Sequence, residues 1–554
     1  MKNPFSILFF LTVPVASLFF CTNLDLAGGS SSTDNGRILG MICLENRLPA
    51  PNTLVTLRPA DFDPYQDIYA FRIDTTDAAG NYEFSKLAAG SYTLEAVAFN
   101  GKTRALVNSI MVDSATAYAP VAALAKPGAL KVQVQNGSAV ASYVYIPGTS
   151  LYGLVHDGFG FIDSVPAGTV MAVYYVNTAD PAANHTIKAD FSLSSGDTRV
   201  IADYSSWQYS RRLFLNTTIT GADVSSTLVT FPVLVRLSAA NFNFNQARSD
   251  GSDLRFKKSD DSPLAYEIEQ WDAAGQRAAI WVKVDTVYGN DSTHFFALYW
   301  GNPAATAESN SAAVFDTATG FQGVWHLSGE GTTTAYDATA NGYHGASYNM
   351  NAASAIEGAV GRARAFNGSS SYIVMPNTAA GRLNFPEDGE YSLSLWVYAD
   401  TLDTLWRAIA GKGHEQYYMQ LKGLGRNRAT WEFVEFQDQR GWEYTEDSTP
   451  PAPGAKQWLY LTGVRSGTSQ QLYINGGRVV DTAALMPGDH ARNTADNFTI
   501  GRFARSVSIP YYQGWSYFKG RVDEVRITRG ALSADWIKLC YMNQKAHDAL
   551  IIFR

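Results

Sequence analysis

The chain has 554 residues, room for three to five domains of ordinary size, with 46 glycines, 13% aromatic residues and only 17% charged residues. That mix suits β-rich extracellular modules and is unlike helical or disordered chains. The formal net charge of −8, with no clustered run of Lys and Arg, excludes the phosphate backbone of nucleic acid as a partner.

Residues 1–21 read as a targeting segment. Lys2 precedes an apolar run from Phe5 to Phe20, interrupted by Pro14, which is too short for a transmembrane helix and right for a signal-peptide core. The run stops at Cys21, and residues 22–36 form a small, polar, flexible tether. A lone Cys at this place resembles a bacterial lipoprotein signal, with Leu18 at its usual apolar position and Phe20 where a small residue is the rule. The resemblance implies lipidation of Cys21, hence an extracytoplasmic protein held to the cell envelope by a lipid anchor; plain secretion is the alternative. Only Cys43 and Cys540 remain, so no disulfide framework is expected and each domain must rely on its own core.

Residues 37–125 show period-2 strands broken by turns. Asp77 to Asn81 is a turn in which Gly80 can supply a positive φ, and Tyr82 and Phe84 then fall on one strand face. With Leu87-Ala88-Ala89-Gly90-Ser91-Tyr92, this pattern resembles the carboxypeptidase regulatory-like domain, a sandwich of seven or eight strands that serves as a spacer without peptidase chemistry. Residues 126–203 repeat the pattern more weakly and read as a second small sandwich. Residues 205–305 contain Phe231-Pro232-Val233-Leu234-Val235, Ile280-Trp281-Val282-Lys283-Val284 and Leu298-Tyr299-Trp300-Gly301-Asn302. They resemble an uncharacterised β-sandwich domain common before laminin-G-like domains in surface proteins. Residues 303–316 read as a linker or short helix.

The last part, residues 317–548, carries Val324-Trp325-His326-Leu327, Tyr336-Asp337-Ala338-Thr339, Phe366-Asn367-Gly368-Ser369, Tyr391-Ser392-Leu393-Ser394-Leu395-Trp396, Leu472-Tyr473-Ile474-Asn475-Gly476 and Gly520-Arg521-Val522-Asp523-Glu524-Val525. In this order these segments resemble the laminin-G-like, or concanavalin A-like, jelly roll. The fold class expected is therefore all-β: several sandwich domains in tandem, ending in a concanavalin A-like jelly roll. A helix is expected from Leu532 to Asn543, capped by Ser533, and Leu550-Ile551-Ile552-Phe553 reads as an added edge strand.

The resemblance implies binding of a polysaccharide or a glycoprotein glycan; a minority of the fold's members cut glycosidic bonds. Cutting needs two carboxylates on one face. Glu432 and Glu435 are three apart and point to opposite faces of a regular strand, Asp523 and Glu524 are adjacent, and Glu443 and Glu446 read as loop residues. The eight histidines form no metal or nucleophile motif, and His326 reads as a core-edge residue rather than a ligand. A non-catalytic adhesin follows, with a structural or protein-binding module as the alternative and a glycoside hydrolase as a more distant one. Sugar binding needs exposed aromatic platforms with polar neighbours; Trp442, Tyr511, Tyr512 and Trp515, in polar Gly-rich surroundings, are the expected contacts. One structural Ca²⁺ is the cofactor expectation, with Asp337 in the loop Tyr336–Gly342 as first ligand and Asp523 completing the site. The competing reading of Asp337 is a turn residue accepting backbone N–H groups.

Overall fold

The computed structural model describes residues 35–554 apart from 114, 135–141, 333, 379–380, 386–388, 403–404, 426–427, 439, 448–455, 468, 480–482, 485–492 and 504–516. Cys21 and the tether up to 34 lie outside the described residues. The chain divides into two compact units: residues up to 62 with 66–125, and residues 63–65 with 126–554. No helix among the described residues is long and apolar enough to cross a membrane.

In the first unit, eight strands among the described residues form two four-stranded sheets. The strand Gly36–Leu44 lies between Asn81–Leu87 and Thr116–Tyr118, and also pairs with Ala122–Leu124. The other sheet runs Arg72–Thr75, Leu54–Pro59, Gly90–Val97, Arg104–Val112. The turn works as its residues suggest: Asp77 Oδ1 accepts the N–H groups of Ala79 and Asn81, and Gly80 has φ +80°. Tyr82 and Phe84 then enter the core with Ile38, Ile42, Val55 and Leu94. Cys43 is free and buried.

In the second unit, the strands of residues 126–203 lie on one seven-strand path from His185–Leu193 to Thr198–Ala202. Residues from both ends of that path, such as Phe191 and Ile201, meet in one core, so its two halves, joined through Tyr152–His156, pack face to face.

The next module packs two sheets. Leu228–Ser238, Arg277–Val287 and Tyr266–Asp272 make one, and their alternating Val233, Val235, Ile280, Val282 and Val284 all face the core. The other is Arg255–Lys258, Phe295–Trp300 and Tyr209–Leu215, completed by Ile551–Phe553 from beyond the C-terminal domain. The expected edge strand thus belongs to the module 250 residues earlier in order, not to the domain it follows. Within the linker, Ser311–Val314 is a single helical turn capped by Asn310, whose Oδ1 accepts Ala313 N–H.

The C-terminal domain is a second pair of sheets. Among the described residues one has nine strands, centred on Lys519–Arg529, Tyr391–Ala399 and Trp458–Ser466. The other has seven, in the order Ala346–Tyr348, Tyr372–Met375, Phe498–Ile500, Arg407–Lys412, Tyr417–Gly425, Arg428–Gln437, Gly441–Glu446. Leu393, Leu395, Val522, Ile527 and Leu461 from the first sheet meet Ile373, Met419, Trp431, Phe433 and Ile500 from the second in one buried core.

The outer face of the nine-stranded sheet is also buried. Trp396, Tyr460, Val464 and Tyr473 join the core of the preceding sandwich, together with Ile537, Leu539 and Cys540 of the helix Ala534–Gln544. Ser533 caps that helix by accepting Trp536 N–H at 3.2 Å. Near its other end, Asn543 makes two hydrogen bonds to the backbone of Leu234, as a neighbouring strand would. The Arg236 guanidinium donates to the carbonyls of Asn543 and Gln544, groups left unpaired at a helix C-terminus. Sandwich, helix and C-terminal domain therefore share one core rather than standing as separate beads.

Candidate functional site

The seven-stranded sheet turns its odd positions on Tyr417–Gly425 and Arg428–Gln437 inward, as Tyr417, Met419, Leu421, Trp431 and Phe433 show. The pleat therefore sends Tyr418, Gln420 and Lys422, and Glu432, Val434 and Phe436, to the outer face. The hairpin register adds Trp442 opposite Phe436, Tyr444 opposite Val434 and Glu446 opposite Glu432. Toward the other edge come Gly411, Thr499, Val374 and Tyr372, since Ile373, Met375, Phe498 and Ile500 point inward. Gly411 keeps the middle of this face low: a Cβ there would stand 2.2 Å from Tyr418 Cβ.

A cleft of about 340 Å³ opens at the edge of this face. Tyr348 and Tyr372 line it, stacked on each other at 4.8 Å with planes 8° apart. The Arg502 guanidinium lies 3.4 Å from the Tyr372 ring centroid, a cation–π contact. Asp496, Asn497 and Thr499 supply polar walls. The wall loop is held from within: Lys412, fully buried, donates its ammonium hydrogens to the Thr494 and Asp496 carbonyls and to Gln416 Oε1. Burial lowers the Lys412 ammonium to about 8, opposed by the Asp496 charge.

The centre of the face is polar. Glu432 accepts Lys422 at 2.8 Å and Gln420 at 2.5 Å, and Lys422 also reaches Glu446 at 3.1 Å. Burial pushes the Glu432 carboxyl up to about 7, against the pull of Lys422. Glu435 points the other way, into the core, where it pairs with Arg465 and accepts Tyr391 Oη. The two glutamates are on opposite faces, as their spacing of three requires. Glu446 is not in a loop, however: Gly441–Glu446 is a strand, and cross-strand pairing sets Glu446 beside Glu432.

The expected contact residues fall out as follows. Trp442 is half-buried on the outer face; its indole N–H donates to the His414 carbonyl, and its ring packs on Phe436 and His414. Tyr511, Tyr512 and Trp515 lie outside the described residues. Asp337 is buried and both of its oxygens receive protein donors: Oδ1 from Val324 N and Thr339 N, Oδ2 from Thr339 Oγ1 and Tyr343 N. That is the turn-forming role. Asp523 Oδ2 accepts Val360 N at 2.9 Å, while Oδ1 has no partner among the described residues. Sequence reasoning missed Tyr348, Tyr372 and Arg502 as site residues; the available signal was that Tyr372 is out of phase with the inward Ile373 and Met375.

Residues 367–538 match the family described as "Concanavalin A-like lectin/glucanases superfamily". The C-terminal domain is a concanavalin A-like jelly roll. Residues 250–328, from the preceding sandwich into the jelly roll's first strand Phe321–Trp325 and just beyond it, match the family described as "Domain of unknown function (DUF2341)". No curated protein matches this chain. Among solved structures, domain 4 of an extracellular GH43 arabinanase from Geobacillus stearothermophilus, in complex with arabinotriose, is similar at 21% identity and a TM-score of 0.30, over 40% of this chain and 97% of that one. The binding domain of botulinum neurotoxin serotype D is similar at 13% identity and a TM-score of 0.29, over 40% of this chain and 51% of that one. This chain thus spans about half of that toxin domain. On the seven-stranded sheet the partly exposed aromatic and polar groups collect toward the edges, at the cleft and around Tyr444.

Proposed function

We propose that this protein is a non-catalytic, carbohydrate-binding protein of the bacterial cell surface, with a polysaccharide or glycoprotein glycan seated on the outer face of the seven-stranded jelly-roll sheet. The observation that carries this reading is the cleft at Tyr348 and Tyr372. Tyr348, 45% exposed and backed by Tyr372, is the ring that can take the C–H side of a sugar, while Arg502, over the far face of Tyr372, and Asp496, Asn497 and Thr499 stand where hydroxyls need donors and acceptors. The non-catalytic part is supported by the acidic groups themselves. Glu435 is paired in the core, and Glu432 and Glu446 share one lysine instead of flanking an open gap. In this reading Cys21 carries the lipid, and residues 37–203, the first of their modules carboxypeptidase regulatory-like, act as the stalk.

The test is binding of the full chain to a panel of soluble and insoluble polysaccharides, with Tyr348→Ala and Tyr372→Ala alongside. Saturable binding that weakens in both variants, without release of sugars, is expected. Release of reducing ends by the wild type would refute the non-catalytic reading. Retention of a glycan by both variants would move the site off this cleft, and binding to no glycan would favour a protein ligand.

A further inference from the structure

A second constellation lies at the junction of the jelly roll with the sandwich before it, far in sequence from the glycan face. The strand Lys519–Arg529 carries a β-bulge opposite Ser394 and Trp396, with Glu524 at φ +51°. Val522, Val525 and Ile527 enter the jelly-roll core, so the bulge puts Asp523, Glu524 and Arg526 all on the outer side. There they meet Glu267 and Glu269 of the strand Tyr266–Asp272 and His326, which follows the strand Phe321–Trp325.

The arrangement around His326 has two shells. Nδ1 is 2.6 Å from Glu524 Oε1 and 3.7 Å from Glu269 Oε2, and one donor atom from each of the three residues lies within 4.8 Å of the others. On the far side of the ring, Nε2 is 3.2 Å from Glu267 Oε2. Arg526 holds the second oxygen of Glu524, and Trp281 Nε1 donates to Glu269 Oε2. Each of the three inner residues is thus oriented by an outer partner, including the carboxylate behind the imidazole that metal-bound histidines normally have.

Two further observations point to a missing cation. Glu269 and Asp523 are fully buried side chains, and Glu269 Oε1 and Asp523 Oδ1 have no hydrogen-bond partner among the described residues. Buried acceptors without donors are rare, and an unseen ion is one of the few explanations for them. A cleft of about 140 Å³ lined by Glu267, Glu269, His326, Leu327 and Ser328 leads to the group and has space for entry and for a bound water.

We propose that Glu269, His326 and Glu524 bind one divalent first-row transition-metal ion, with Zn²⁺ the type case, and that the ion clamps the jelly roll to the preceding sandwich. The mixed nitrogen and carboxylate donors select such an ion over Ca²⁺, which takes oxygen ligands. Two ligands come from the jelly-roll side and one from the sandwich, so the ion joins the two sheets that meet there.

The test uses the full chain stripped with EDTA and titrated with Zn²⁺ alone, followed by calorimetry and by thermal unfolding. About one ion per chain and a raised unfolding temperature are expected. Glu269→Gln keeps the acceptor for Trp281 but loses the charged ligand, and should weaken Zn²⁺ at least tenfold and abolish the thermal shift. Glu267→Gln, which touches only the outer nitrogen, should weaken it by about tenfold or less. No saturable binding to wild type, binding without a thermal shift, or equal binding by wild type and Glu269→Gln would overturn the proposal. His326 would then be an imidazolium held between Glu267 and Glu524.

Discussion

The jelly roll has two outer faces, and they differ in what lies over them. Outward positions of the nine-stranded sheet include Trp396, Tyr460, Val464 and Tyr473, which are covered by the helix Ala534–Gln544 and the preceding sandwich. Outward positions of the seven-stranded sheet include Tyr418, Gln420 and Glu432, which are buried as well, and Tyr372, Lys422, Trp442 and Tyr444, which stay partly exposed, with a cleft among the described residues at one edge. Both sheets obey the same alternation. Both faces mix aromatic and charged groups, since Asp523, Glu524 and Arg526 lie on the covered one; what differs is that the seven-stranded sheet keeps Tyr348, Tyr372 and Tyr444 partly exposed toward its edges, where a ligand can reach them.

The largest effect should come from stripping the covered face. Removing residues 531–554 takes away the helix and the last strand of the sandwich, and the product is expected to be insoluble or to lose its cooperative unfolding transition by circular dichroism. A point change on the same face, Trp396→Ala, deletes a buried ring and its hydrogen bond to Gln544, and should cost about 3–5 kcal/mol in denaturant unfolding. Within the core between the sheets, Arg465→Ala leaves Glu435 buried without its cation and should cost a similar amount, roughly 3–5 kcal/mol.

The seven-stranded sheet's outer side should respond more gently. Burial raises the Glu432 carboxyl to about 7, so its protonated form is favoured by folding. Its contribution is full below the unfolded carboxyl range and is lost as pH rises through about 7. Melting temperatures of wild type and Glu432→Gln between pH 5 and 8 should therefore converge differently at the two ends, with the variant flatter; parallel curves would contradict the assignment. Smallest is the cleft: Tyr372→Ala should weaken glycan binding by about 1 kcal/mol, roughly fivefold, with little change in unfolding.

The fold was legible where alternation was clean. Val233 and Val235, Ile280 to Val284, and Tyr82 with Phe84 all face where period 2 puts them. Trp396 was readable as core, but not that the core belongs jointly to two modules, because nothing local distinguishes inward apolar residues from outward ones that will be covered. Gly441–Glu446 reads as polar loop by composition, yet cross-strand pairing makes it a strand. Asp523 and Glu524 should face opposite ways; a bulge at a non-glycine residue in the left-handed region defeats that inference, and no local composition announces it. The cleft joins residues 348, 372 and 502, which only the sheet order brings together.

The strand Ile551–Phe553 pairs with Tyr209–Leu215, so the whole jelly roll is inserted between consecutive members of one sheet. During synthesis, that sheet keeps an open edge until the chain from Trp300 to Ile551, about 250 residues, has emerged. An exposed edge is a template for pairing with other chains. Closure by this strand therefore ends the period of aggregation risk, and a chain that stopped short of Ile551 would carry that open edge with it.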